Sequence, residues 1–289
     1  MRVLALLMLL VPLGCSQAPK ATPTTSTVAR QEAAIEANRK GEAYVRHGEL
    51  DNAARSYREA LRLSQSLEDP EGIAANAINL SIVRQRQGRF AEARESLGAV
   101  LEQPNLRFSP MRLAEVSLRH ALIELDQNRF SGAEEWVNRA AGHCAQRCPL
   151  ASAIQNTRAQ LALQAGRFED AATAARAAHD ASRAAGDRSE LGNALRLLGI
   201  TALRGGDPAK ARAHLEQALV IDREIGAPRK IALDLLALGR AASLGGDREA
   251  ARAYYSRAMA VSEADRDNAG VAEARALLEA ADKAAATGK

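Results

Sequence analysis

Six residues suited to a left-handed backbone recur along this chain at a nearly constant spacing: Gly48, Gly88, Asn128, Gly166, Gly206 and Gly246, at intervals of 40, 40, 38, 40 and 40. Glycine takes positive φ without a steric penalty, and asparagine tolerates it better than most other residues. A period this regular restricts the chain to a repeat architecture, in which each unit packs mainly on its neighbours. Five residues past each turn stands an alanine: Ala53, Ala93, Ala133, Ala171, Ala211 and Ala251. Seven residues before it stands Gly41, Ser81, Ala121, Ala159, Gly199 or Gly239, always small. Small residues on both sides of a turn let two backbones approach closely, so each unit reads as a helical hairpin. Leu50, Phe90, Phe130 and Phe168 are placed to plug the bottoms of the first four hairpins, with Pro208 and Arg248 at that position in the last two.

The unit from Leu191 to Glu224, LGNALRLLGITALRGGDPAKARAHLEQALVIDRE, shows the local logic. Apolar residues three and four apart make its first half an amphipathic helix, and Gly205 and Gly206 supply the left-handed turn that ends it. Asp207 can accept hydrogen bonds from the free amides of the next helix, and Pro208 suits a first turn, where no amide donor is needed. The order Leu195-x2-Leu198-Gly199-x2-Ala202, then Gly206, then Ala211-x3-Leu215-x2-Ala218 resembles the tetratricopeptide repeat, with Leu, Ala and Leu where the fullest signature has Trp, Tyr and Phe.

The resemblance implies an all-α, right-handed superhelical solenoid of about six hairpins within residues 30–267, at about 34–67, 74–107, 114–147, 152–185, 192–225 and 232–265. The period of about forty exceeds the family's thirty-four and implies lengthened helices. A last helix, Val271 to Lys283 within 268–289, is expected to cover the exposed apolar face of the final hairpin, as a solenoid end requires.

Hydrophobic residues make up 47% of the chain but aromatics only 3%, so burial must come from many Ala and Leu contacts between close helices. The net charge of +4 is mild, and basic and acidic residues alternate instead of forming blocks. A nucleic-acid site needs a concentrated basic stripe, usually with stacking aromatics, and neither is present.

Residues 1–14 carry Arg2, an apolar run from Val3 to Leu13, and then Gly14 before Cys15. The run is shorter than the roughly 20 residues a bilayer span needs. It resembles a bacterial lipoprotein signal, which implies cleavage before Cys15, lipidation of that residue and, with Ser16 next to it, an outer-membrane anchor facing the periplasm. Pro12 and Leu13 depart from the usual motif. The alternatives are a secreted or periplasmic soluble protein, or an uncleaved anchor. Residues 15–29, rich in Pro, Thr and Ser, are expected to form a flexible tether with a reach of at most about 50 Å.

First helices line the concave side of solenoids of this family. That register points Ile78, Ile82, Leu118, Leu122 and Leu125 into the groove over repeats two and three, with Arg86, Arg196 and Arg204 along its rim. An apolar floor with polar edges suits an amphipathic helix or an extended peptide. The same residues serve equally as core between lengthened helices, and both readings stand. The Lys and Asn pattern by which some members clamp a C-terminal carboxylate is not reproduced.

Cys144 and Cys148 in GHCAQRCPL form a disulfide if the chain is exported. With His143 they supply three of the four ligands of a zinc site, the other reading of this segment. No Ser/His/Asp or paired-carboxylate constellation is legible, so neither catalysis nor a cofactor is expected. The sequence thus points first to a noncatalytic, envelope-tethered scaffold for a protein or peptide partner. A pilotin-like lipoprotein that assists secretin or pilus assembly is second, and a metal or enzymatic role for the His143 region third. Self-association is open.

Overall fold

The computed structural model describes residues 25–103, 105–144 and 148–286, and among these every regular element is a helix. The helices are α1 (Thr25–Arg46), α2 (Leu50–Ser66), α3 (Pro70–Arg86), α4 (Phe90–Leu101), α5 (Pro110–Asp126), α6 (Phe130–His143), α7 (Ala151–Gln164), α8 (Phe168–Ala185), α9 (Arg188–Arg204), α10 (Pro208–Glu224), α11 (Pro228–Leu244), α12 (Arg248–Ala264) and α13 (Asn268–Ala286). They pair in order as six hairpins, each stacked on the next, with α13 closing the end. This is a helical-repeat solenoid.

Each hairpin turns where the period places it. Gly48, Gly88, Asn128, Gly166, Gly206 and Gly246 have φ between 55° and 81°. Gly205, expected to share this role, stays right-handed at φ −81°, so Gly206 alone reverses the chain. Asp207 Oδ1 accepts from Lys210 N at 2.9 Å, and Asp187 and Asp247 cap α9 and α12 in the same way. The alanine after each turn is fully or almost fully buried in all six hairpins. The facing small residue is required sterically: a Cβ on Gly239 would lie 2.3 Å from the Tyr255 ring, and one on Gly199 2.5 Å from Leu215. Leu50, Phe90 and Phe130 pack against the core as expected, but Phe168 is left 40% exposed.

Two boundaries differ from expectation. Helix α1 begins at Thr25, inside the segment assigned to the tether, because no proline follows Pro23 and nothing in TSTVARQEAAIEA breaks a helix. The cap is also longer, running the full 19 residues of α13. Ala274 is completely buried and Leu277, Leu278 and Ala281 pack on the α11/α12 cluster, covering the final hairpin.

Curvature accumulated over the six hairpins returns the end of the solenoid to its beginning. Arg266, in the turn between α12 and α13, donates from Nη1 to the carbonyl oxygen of His47 at 3.0 Å. A Cβ on the neighbouring Gly48 would lie 3.2 Å from Arg266 Cβ. None of the described helices is long and apolar enough to cross a membrane.

Candidate functional site

The first helices of repeats three to six, α5, α7, α9 and α11, together with α13, enclose a cavity of about 450 Å³ on the concave side. Its floor is apolar. Leu118 and Leu122 come from α5, Leu163 from α7, Leu197 and Ile200 from α9, and Leu233 and Leu236 from α11. Leu233 is 42% exposed, a large apolar side chain left open to solvent beside other apolar groups. The polar lining is set by helix period: Asn156, Gln160 and Gln164 repeat at four-residue spacing on one face of α7, and Asn193 adds a second amide from α9.

The expected groove therefore lies further along the chain. Leu118 and Leu122 line it, but Ile78 packs against the core of the first repeats and Ile82 is half-buried outside it. Leu125, 1% exposed, belongs to the core with Ala133 and Leu161, because its position near the end of α5 points between the two helices of the hairpin. Half-buried Arg86 and exposed Arg204 are not part of the cavity wall.

Arg196 is inside the wall and not on the rim. Its Nε donates to Asp234 Oδ1 at 2.6 Å, its Nη2 pairs with Asp222, and its Nη1 donates to Asn193 Oδ1 at 3.1 Å. Both aspartates are completely buried. Burial pushes the Asp234 carboxyl up to about 7. Arg196 opposes this shift through its charge and hydrogen bond, while the neighbouring Asp222 carboxylate reinforces it. Two buried carboxylates facing one guanidinium leave an excess negative charge, and a proton held between them removes it.

The cluster has a neutral counterpart at the equivalent positions four repeats earlier in the chain. Asn38 Nδ2 donates to Asn76 Oδ1 at 2.6 Å, and Asn76 Nδ2 to Ser64 Oγ at 3.2 Å, joining the first two repeats where Arg196, Asp234 and Asp222 join the last two. Sequence reasoning missed the ionic version. Its available signal was Asp234, a lone acid in the apolar run IALDLLALG.

The other cavity charges are also occupied or acidic. Arg240 Nη2 lies 2.7 Å from Glu273 Oε1. Glu190 receives Asn156 Nδ2 at its carbonyl oxygen (2.9 Å) and at Oε2 (2.7 Å).

Cys144 and Cys148 form a disulfide at the junction of α6 and α7, with Cα atoms 5.2 Å apart. Both pack with Leu150 and Trp136 in a small apolar cluster. Trp136 stacks on His120 with centroids 4.0 Å apart, and the Arg139 guanidinium lies 4.5 Å from the Trp136 centroid. Burial lowers the His120 pKa, favouring the neutral ring that stacks here. Among the described residues no group of three or more His, Cys, Asp and Glu side chains is placed to hold a metal ion, so His143 and the two cysteines do not assemble the alternative zinc site. Cys15 and the segment around it lie outside the described residues.

Tetratricopeptide-repeat family models match residues 38–71, 78–152 and 150–224. No curated protein matches the sequence. Among solved structures, the apo form of the quorum sensor NprR from B. thuringiensis aligns at 15% identity over 82% of this chain and 68% of that one, with a TM-score of 0.63. A Rap protein complexed with competence and sporulation factor aligns at 16% identity over 86% and 70%, with a TM-score of 0.62. PilW, a widely conserved type IV pilus biogenesis factor, aligns at 17% identity over 82% and 94%, with a TM-score of 0.55. At these identities the likeness is one of fold.

Proposed function

The chain is a tetratricopeptide-repeat protein, and from that premise we propose that it is a noncatalytic scaffold, tethered to the cell envelope through Cys15, that holds a peptide segment of a partner protein in the cavity between α5 and α13. The observation that carries the reading is the cavity itself. It is apolar at the floor, amide-rich on the wall and about the size that several peptide side chains fill. The short apolar run ending in Gly14-Cys15 supports the tether. The helical start at Thr25 shortens the tether to the residues before it.

A photo-crosslinker placed at Gln160, on the cavity wall, tests both partner and place in intact cells. The expected result is capture of a defined envelope protein there, with none from the convex position Glu216, and loss of capture in a Leu163→Glu variant that keeps its helicity and melting temperature. One buried charge at a contact of this kind removes at least about 2 kcal/mol of affinity. Capture from Glu216 and not Gln160 moves the site to the other face. A secretin as the captured protein turns the reading toward a pilotin-like lipoprotein. Unchanged fractionation and acyl labelling of Cys15→Ser would remove the tether from the proposal.

A further inference from the structure

Arg196 and Arg240 place two guanidiniums in the cavity wall, and both are engaged by carboxylates of the protein. Arg196 spends its three donating groups on Asp234, Asp222 and Asn193. Arg240 is paired with Glu273 at 2.7 Å. The lining itself carries two glutamates, Glu190 and Glu273, beside these two cations, and Arg196 is further offset by the completely buried Asp222 and Asp234 behind it. The nearest further cation, Lys230, is bound to Ser189 Oγ at 2.7 Å and to the Ser189 carbonyl at 3.1 Å, and it is not part of the cavity wall. Asp222, Glu190 and Asp187 lie within its electrostatic reach.

Glu190 is the cavity carboxylate with no basic partner among the described ion pairs, and its hydrogen bond comes from an uncharged amide. A second observation points to a ligand independently of charge. Asn156, on the same wall and 6% exposed, has its Oδ1 buried with no donor among the described residues. Its amide nitrogen is already committed to Glu190, so the acceptor awaits an N–H from outside.

From these groups we infer that the cavity takes an apolar peptide segment carrying one basic side chain, whose cation lies against Glu190 while an N–H of the same segment reaches Asn156. This rests on the peptide-binding reading above and adds the charge of the ligand to it. The basic group gains a carboxylate held in place by Asn156, and the flanking apolar side chains cover the Leu163 and Leu197 surfaces. An acidic segment would meet Glu190, which has no ion pair among the described residues, and two guanidiniums already paired with carboxylates of the protein.

A random heptapeptide library displayed on phage, panned against the purified full-length protein, tests the charge. The expected outcome is recovery of apolar peptides in which Lys or Arg is enriched at least about fivefold over the unselected library. Glu190→Gln, which keeps an oxygen for Asn156, should lose that enrichment while still recovering apolar peptides. Recovery of peptides that Leu163→Glu abolishes, but that are acidic or indifferent to charge, overturns the inference and leaves the peptide-binding reading standing. Recovery that Leu163→Glu does not change overturns both. Circular dichroism of each variant keeps loss of fold separate from loss of binding.

Discussion

Asp234 stands where the equivalent position in repeats two to five is filled by Asn76, Val116, Ile154 or Ala194 and in repeat one by the exposed Glu36, and it introduces an ionisable group into a completely buried interface. Burying two carboxylates beside one guanidinium stabilises a fold poorly unless the surplus charge is neutralised. Burial raises the Asp234 pKa to about 7, whereas an unfolded aspartate titrates near 3.9. Between those values the folded chain binds the proton more tightly than the unfolded chain does. The group's favourable contribution is therefore whole at low pH, declines as pH rises through roughly 4 to 7, and is absent above that window. Asp234→Asn fixes the neutral form and keeps an oxygen for Arg196, much as Asn76 serves the first junction. In thermal melts the variant should gain on the parent protein as pH rises from 4 to 7, by several degrees, with a constant difference above about 7.5. A difference independent of pH would show that the pair carries no shared proton.

At the scale of helices, the joint between α6 and α7 is unlike the others. Helix α6 ends at His143, three residues short of the common length, and the connection to α7 carries the Cys144–Cys148 disulfide. Mass mapping of unreduced peptides should show these two cysteines linked. Because the loop is short, reduction should cost at most about 2 kcal/mol and raise amide exchange at the end of α6 and the start of α7 and not across the whole chain. Free thiols in exported protein would remove the bridge.

Hairpin turns were legible because their requirement is conformational and falls on Gly or Asn. Four of the turns that follow hairpins keep a matching period at Glu68, Gly186, Gly226 and Arg266, yet at two of these the left-handed residue is Glu or Arg, a type that sequence does not mark for that role. The cavity was half legible for a similar reason. Helix period finds the inward face at Leu118, Leu122, Asn156 and Gln160, but how far the superhelix curves decides which inward faces share one space. Nor does period show that Arg196 turns back to its own wall, since that depends on acids 26 and 38 residues away.

Across the whole molecule, stability is a sum of neighbouring interfaces, and the last interface is as necessary as the first. Helix α13 (Asn268–Ala286) buries its own Ala274 and covers the α11/α12 cluster. Truncation after Asp267 should lower the melting temperature and produce association detectable by light scattering, because an apolar helical face would be left open. Retention of the parent's melting temperature would show that α13 is dispensable.

An ordinary solenoid is an open spring whose two ends move independently. Here the Arg266 contact to His47 spans 219 positions in sequence and turns the spring into a lock washer. The contact therefore ties the first hairpin to the turn before the cap, so any motion that spreads the two ends apart must first break it.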